Sequence, residues 1–124
     1  MTHVESVVCL SRKTSHEMKL NSAPFEMIKS GEKTVELRLY DEKRQQIKEG
    51  DTILFTNTDT GETLCRKVAK LHPFNSFAEL YQSLPLLKCG YTTDTLTTAS
   101  PSDMDRYYPP EKQRQFGVLG IELF

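Results

Sequence analysis

The sequence predicts an α+β domain in which short helices pack around a small curled β-sheet or β-barrel. Short alternating or apolar segments recur along the chain and are separated by turn residues, as in a sheet of several strands. Helical spacing extends over only about two turns at a time, and no repeat, low-complexity tract or linker divides the chain. The length of 124 residues suits one domain that buries a core of its own.

The N-terminal part of the chain lacks a sustained period. Residues 1–16 mix polar side chains with one small apolar cluster, and we expect them to form a flexible extension. The folded domain is then expected to occupy residues 17–124, and its first strand is predicted at residues 18–20.

A short helix and the clearest strand of the chain follow. Ser22 is the expected N-cap of the helix, Pro24 suits its first turn, and Gly31 suits a left-handed C-terminal cap. Residues 34–40 then alternate strictly between apolar and polar side chains. This alternation predicts a strand with one apolar face.

Three further strands and several short helices complete the predicted fold. The strands are expected at residues 52–56, 62–72 and 117–124. The helices are expected at residues 76–81, 84–90, 102–108 and 110–116. Ser76 is the expected N-cap of the first of these helices. His72 is followed by Pro73, which predicts the end of a strand, and the threonine-rich stretch 92–100 is predicted to be a loop.

Composition and charge limit the classes of partner. The formal net charge of −1 excludes a basic surface over the whole protein of the kind that binds duplex DNA by charge alone. No apolar run approaches the roughly 18 residues of a membrane span, so we expect no membrane partner. The apolar cluster near the N-terminus is shorter than the core of a signal peptide, which has about 7–15 residues.

The cysteines and histidines are scattered. Cys9, Cys65 and Cys89 are odd in number and far apart in sequence, which favours reduced thiols and a cytoplasmic protein. No cysteine pair has zinc-finger spacing, and the histidines do not cluster. We therefore expect no metal site and no cofactor.

The charged residues around the strand at 34–40 are the best candidate site. Glu36, Arg38 and Tyr40 project from the face opposite the apolar residues of this strand, and Lys33 is long enough to reach the same face. A carboxylate between two cations accepts hydrogen bonds from both and holds them in place. The donors that remain suit an anion or the polar edge of a nucleobase.

Simpler interpretations stand beside this one. Charges that alternate with apolar residues are usually the exposed side of a strand. If the apolar face fills a barrel core, the charged face is solvated or lies beneath helices. The basic run at 43–48 is interrupted by acidic residues and indicates a solvated loop. Tyr107 and Tyr108, beside Arg106, have the chemistry to stack on bases, but such pairs more often anchor a loop to the core.

The stretch GEKTVELR, residues 31–38, resembles the Gly-x-Lys-x-x-Glu-x-Arg signature of the activating-signal-cointegrator homology (ASCH) domains. The flanks are similar to that family as well: PFEMIK before the signature, the GDTILF segment after it, FNSFAELY in mid-chain and the ending YYPPEKQRQFGVLGIELF. The resemblance covers about residues 18–124. It implies a fold related to PUA domains, with a small β-barrel, helices packed around it, and a cleft between them lined by the signature.

The resemblance also implies a ligand. The family is generally thought to bind RNA or nucleotide-like molecules, so Gly31, Lys33, Glu36 and Arg38 are carried over as ligand-binding residues. Tyr40 joins them because it shares the strand face of Glu36 and Arg38. The predicted partner is therefore RNA or a small nucleotide-like molecule, with a role in RNA metabolism or in regulating transcription or translation.

Enzymatic activity is the alternative that the resemblance leaves open. Some small bacterial members hydrolyse N4-acetylcytidine with a lysine, a threonine three residues later and a distant glutamate. Here the residue three positions after Lys33 is Glu36, and Thr34 leaves the backbone elsewhere, which counts against this reaction. In a hydrolase or ribonuclease, Lys33 and Glu36 are the catalytic candidates, as base or nucleophile and as proton shuttle. A third hypothesis is that the charged network only fastens helix to barrel.

Overall fold

The computed structural model describes residues 15–124, in which five strands form a sheet curled into a half-barrel. The strands are β1 (Ser15–Leu20), β2 (Val35–Leu39), β3 (Thr52–Asn57), β4 (Thr63–Phe74) and β5 (Val118–Leu123). Their order in the sheet is β1-β3-β4-β5-β2, and only the β1–β3 pair is parallel. β1 and β2 are therefore the edge strands. The predicted α+β class with a small curled sheet is confirmed.

Short helices connect the strands. The α-helices are α1 (Ser22–Ser30), α2 (Phe77–Ser83), α3 (Thr93–Leu96) and α4 (Pro110–Phe116). Three 3-10 helices lie at Arg44–Gln46, Leu86–Lys88 and Pro101–Arg106. None of the helices in the described part of the chain is long and apolar enough to span a membrane.

Two strand boundaries differ from the prediction. β1 begins at Ser15, three residues earlier than expected; residues 1–14 of the expected extension lie outside the described residues. β4 continues through Pro73 to Phe74 instead of ending at His72. The reason is that β3 pairs with β4 only as far as Lys67, so this end of β4 has one neighbour, β5, and tolerates a residue without an N–H.

The helix caps also differ. Asn21, not Ser22, is the N-cap of α1, and the Ser22 hydroxyl donates to Asp59 Oδ2 at 2.8 Å in the loop after β3. Part of the predicted loop 92–100 is the helix α3, because the Thr92 and Thr95 side chains cap its first turn reciprocally.

The prediction of reduced thiols holds only in part. Cys89 is free and buried, whereas Cys65 is disulfide-bonded, so the expectation is wrong for Cys65. Cys9 lies outside the described residues.

Apolar clusters cover both faces of the sheet. The inner core is built on the concave face, where α1 contributes Phe25 and Ile28. Its strand residues include Ile53, Phe55, Val68, Leu119 and Ile121. The outer core lies under the helices that follow β4. It contains Val35, Leu37, Leu39, Phe77, Leu80, Cys89, Met104 and Val118.

These two cores decide which way β2 faces. Glu36 pairs with Ile121 and Arg38 with Leu119, and both β5 partners belong to the inner core. Directly paired residues of neighbouring strands share a face of the sheet, so the charged side chains of β2 lie on the concave side. The apolar side chains of β2 pack under the helices, not in the barrel core. The alternative in which the apolar face of β2 fills the barrel core and the charged face lies beneath helices is therefore wrong: the two faces are exchanged.

Candidate functional site

A buried carboxylate between two cations is the centre of the candidate site. Glu36 is only 3% exposed. Its Oε1 lies 2.8 Å from Lys33 Nζ, and its Oε2 accepts from Arg38 Nε at 2.7 Å. The solvated-face interpretation is wrong for these residues, because the side chains of Lys33 and Arg38 are only 11% and 13% exposed.

Arg38 also links the two edges of the half-barrel. Its Nη2 donates to the backbone carbonyl of Lys19 at 3.1 Å. Lys19 lies in β1 and Arg38 in β2, so one side chain spans the opening of the curled sheet. The guanidinium group is thus held by Glu36 on one side and by the β1 backbone on the other.

The backbone around Lys33 positions its side chain. Gly31 ends α1 with φ 90° and ψ 0°, and Lys33 N then donates to Met27 O at 3.0 Å. The stem of Lys33 lies over Gly90, where a β-carbon would meet Lys33 Cδ at 3.5 Å. A long side chain that is packed along its length loses little further freedom when it binds a ligand.

The charges in the network stabilise one another. Burial alone would raise the pKa of Glu36, but Lys33 and Arg38 together outweigh it, so the pKa of this carboxyl lies below its ordinary value. Burial likewise opposes the charge on Arg38, and the Glu36 carboxylate nevertheless raises the pKa of Arg38. Both groups are therefore ionised at neutral pH.

The three signature side chains line a cleft of about 750 Å³. One wall is formed by β1 and α1, including Lys19 and Met27. The facing wall comes from residues 89–108, which contribute Cys89, Gly90, Tyr91, Asp103, Arg106 and Tyr107. The volume is in the range of pockets that hold small molecules.

Two predicted site residues lie elsewhere. Gly31 is exposed and does not line the cleft; its observed role is to end α1. Tyr40 packs against the inner core and lines a second depression with Phe74, Arg114 and Gly117. The structure thus brings together Lys33, Glu36 and Arg38 but not Gly31 and Tyr40.

A hydrogen-bonded tyrosine pair, Tyr91 of the facing wall and Tyr81 of α2 behind it, was not predicted from the sequence. Tyr91 OH donates to Asp103 Oδ2 at 2.7 Å, and the Tyr81 and Tyr91 hydroxyls are 2.6 Å apart. Because the Tyr91 proton is directed at Asp103, Tyr81 must donate to Tyr91. Asp103 Oδ2 also accepts from Ser100 N at 3.1 Å. The spacing Ser100-x-x-Asp103 is a capping-box pattern and was the available sequence signal.

This network predicts sensitivity to alkali. Burial raises the pKa of Tyr91 above its ordinary value of 10.0, and the hydrogen bond that Tyr91 donates to the Asp103 carboxylate raises this pKa further. A raised pKa in the folded state gives stability that is complete below about pH 10 and is lost as pH rises through the folded value. At neutral pH, Tyr91→Phe should lower the free energy of unfolding by about 1 kcal/mol, because a partly buried network loses the hydroxyl that joins Tyr81 to Asp103.

Above pH 10 the difference between the variant and the unaltered protein should narrow, as followed by urea denaturation at several pH values. Tyr107→Phe is the matched control, since Tyr107 is 61% exposed and should lose nothing measurable. A difference for Tyr91→Phe that widens above pH 10 would contradict the prediction.

The tyrosines at 107 and 108 have different surroundings. Tyr108 OH donates to Leu37 O at 3.4 Å, and its ring stacks on Phe77 with centroids 6.2 Å apart. Tyr108 therefore anchors the wall to the outer core. Tyr107 is exposed at the cleft, with the Arg106 guanidinium 5.9 Å from its ring centroid. The anchoring alternative is thus observed for Tyr108, and base stacking stays a prediction for Tyr107.

Two other side chains with reactive chemistry are Cys89, inside the cleft, and His72, outside it. Burial raises the pKa of the Cys89 thiol to about 11, so it is protonated at neutral pH. His72 Nε2 lies 2.9 Å from Glu122 Oε1, so this side chain has a partner outside the cleft.

Comparisons with known proteins agree on the family. The model of the ASCH domain matches residues 18–124. The chain is 33% identical to hypothetical protein PH0355, whose crystal structure superposes with a TM-score of 0.73 over 88% of this chain and 96% of that chain. It is 34% identical to protein PF0455 from Pyrococcus furiosus, with a TM-score of 0.66 over 88% of this chain and 94% of that one.

A more distant structure shares the fold. The ASCH protein from Zymomonas mobilis is 13% identical, with a TM-score of 0.61 over 91% of this chain and 68% of that chain. No curated protein matches the sequence. The family match begins within β1 and covers the other four strands and the charged cluster at the cleft, and on these grounds the chain belongs to the ASCH domain family.

Proposed function

We propose that this ASCH domain binds RNA and holds one nucleotide in the cleft between β1, β2 and residues 89–108. The observation that carries the proposal is the buried Glu36, which fixes Lys33 and Arg38 at the cleft and leaves them with unused donors. Lys33 and Arg38 contact a phosphate or the acceptor edge of a base. Glu36 orders both cations.

The donor inventory supports this role. Within residues 15–124, the Lys33 ammonium has one acceptor, so two of its three donors remain. Arg38 uses its Nε and one Nη2 N–H, so three of its five donors remain. Because the Glu36 carboxylate offsets one of the two positive charges, the site suits one anionic group rather than a run of phosphates.

The electrostatics favour binding over hydrolysis. A general base or proton shuttle works best with a pKa near the working pH. The pKa of Glu36 is lowered instead, and both of its oxygens are engaged. The protonated Cys89 thiol is a poor nucleophile for the same cleft. These observations support an ordering role for Glu36.

A charge-neutral double variant tests the proposal. Lys33→Met/Glu36→Gln removes the lysine without stranding a buried carboxylate and leaves the net charge unchanged. We expect it to weaken binding of a mixed-sequence, single-stranded RNA 12-mer about tenfold or more, measured by fluorescence anisotropy. Lys29→Met/Glu62→Gln is the matched control, because this 2.6 Å pair is exposed and outside the cleft.

Arg38→Lys is the second arm of the experiment. It keeps the charge beside Glu36 but loses the planar fork, and we expect it to weaken binding while the fold is retained. The salt dependence should be shallow, with a slope of log K against log salt between about −0.7 and −1.4 for one or two phosphate contacts. RNA affinity that is equal in the unaltered chain, Arg38→Lys and the double variant would refute the proposal.

A further inference from the structure

One aromatic ring at the rim of the cleft is exposed although its neighbours are fixed. Tyr107 is 61% exposed and lines the cleft, whereas Tyr108 beside it is partly buried and packs against the outer core. The Arg106 guanidinium lies 5.9 Å from the Tyr107 ring centroid. An aromatic ring and a guanidinium plane are the two side-chain surfaces on which unpaired bases stack.

The backbone that carries Tyr107 is held on both sides. Tyr107 N donates to Met104 O at 3.0 Å, and Met104 is buried in the outer core. On the other side, Gln113 Nε2 donates to Tyr108 O at 2.8 Å and to Asp105 Oδ1 at 2.9 Å. The backbone beneath the exposed ring of Tyr107 is therefore fixed by hydrogen bonds.

From this arrangement we propose that Tyr107 is the stacking platform for a second nucleotide, adjacent to the one in the cleft. The inference rests on the proposed function and narrows its ligand: the site takes single-stranded RNA of at least two nucleotides rather than a free mononucleotide. Arg106 lies over one face of the Tyr107 ring, where its guanidinium meets the linking phosphate while the base stacks on the other face. Duplex RNA does not satisfy this arrangement, because its bases are stacked within the helix.

The cleft and its rim offer two different kinds of interaction to the RNA. The cleft supplies directional donors from Lys33 and Arg38, which read one phosphate or base edge. The rim supplies a ring face, which accepts any base because every base has a π-face. Since Tyr107 is already exposed and supported, stacking orders little that is not ordered already, and most of its free energy adds to binding.

The experiment compares ligands of increasing length. The unaltered protein, Tyr107→Ala and Tyr107→Phe are titrated by NMR with the four nucleoside 5′-monophosphates and the four matching homodinucleotides. For at least one base, we expect the dinucleotide to bind about tenfold tighter than the mononucleotide. Tyr107→Ala should remove this gain of the dinucleotide over the mononucleotide, while Tyr107→Phe should keep it because the ring remains.

Leu87→Ala is the control for an exposed apolar residue outside the cleft, and it should behave as the unaltered protein. Mononucleotide binding without any gain for dinucleotides would overturn the inference and leave the proposed function standing. A gain that survives in Tyr107→Ala would do the same. Absence of binding to every ligand would overturn the proposed function together with the inference.

Discussion

Replacing Glu36 by alanine should lower the free energy of unfolding by about 3 kcal/mol, because it leaves two largely buried cations without their shared counter-ion. Lys33 and Arg38 share Glu36 as their partner, so the variant also leaves two like charges close together with no anion between them. Their position at the cleft lets water reach them, which keeps the loss near the lower end for a broken buried pair. Urea denaturation with linear extrapolation measures the change.

The chain supplies its own control for this prediction. Glu62 forms a pair with Lys29 at 2.6 Å, but the two side chains are 40% and 47% exposed. Glu62→Ala should therefore cost less than about 1 kcal/mol, as exposed ion pairs do. Equal losses for Glu36→Ala and Glu62→Ala would contradict the role assigned to burial.

The pH dependence of the same variant has a definite sign. The pKa of Glu36 is below its ordinary value of 4.5, so the carboxylate contributes stability that is present above pH 4.5 and lost as pH falls through the folded pKa. The Glu36→Ala variant has no carboxylate at this position, so acidification removes no such contribution from it. The stability difference between the variant and the unaltered protein should therefore shrink as the solution is acidified below pH 4.5.

Gly117→Ala is expected to have a comparable effect for a different reason. Gly117 ends α4 with φ 73° and ψ −170°, a backbone conformation open almost only to glycine. A β-carbon there would lie 2.8 Å from the carbonyl oxygen of Phe74, which the β4–β5 pairing holds in place. Strain and clash together should lower the free energy of unfolding by about 3 kcal/mol.

Gly31→Ala separates the two contributions. Gly31 also has a positive φ, of 90°, but a β-carbon there would meet nothing within 4 Å. Its cost should be the strain alone, about 1 kcal/mol. Because neither glycine lines the cleft, the folded fraction of each variant should match the unaltered protein in the proposed RNA binding. A larger loss for Gly31→Ala than for Gly117→Ala would contradict the steric argument.

Local pattern was enough to predict most elements of the fold. The strict alternation at 34–40 predicted β2, and Gly31 predicted the end of α1, because both depend on side chains close in sequence. The same locality explains the errors. The prolongation of β4 through Pro73 depends on where β3 stops pairing, and the N-terminal turn of α1 depends on Asp59 from another loop.

The charged network was predicted from the sequence, but Tyr91 and Asp103, in the cleft wall that faces it, were not. Lys33, Glu36 and Arg38 came from the signature and from their shared strand face, and they do form one network. Tyr91 and Asp103 are far in sequence from the signature at residues 31–38, and no motif links them to it. Tyr40 shares the strand face of Arg38 but lies beyond the cleft, because alternation fixes a side of the sheet and not a position along it.

The sequence by itself determined that β2 has one charged and one apolar face, since a period of two follows from the geometry of any strand. Only the tertiary structure decided which face meets the concave side. Apolar clusters cover both faces of this sheet, so the apolar face of β2 could be buried on either side of the sheet as far as the sequence pattern shows. Pairing with β5 decides the side, because Arg38 pairs with Leu119 and Glu36 with Ile121, and both β5 residues face the concave side. There Arg38 donates to the Lys19 carbonyl, and Glu36 contacts Lys33.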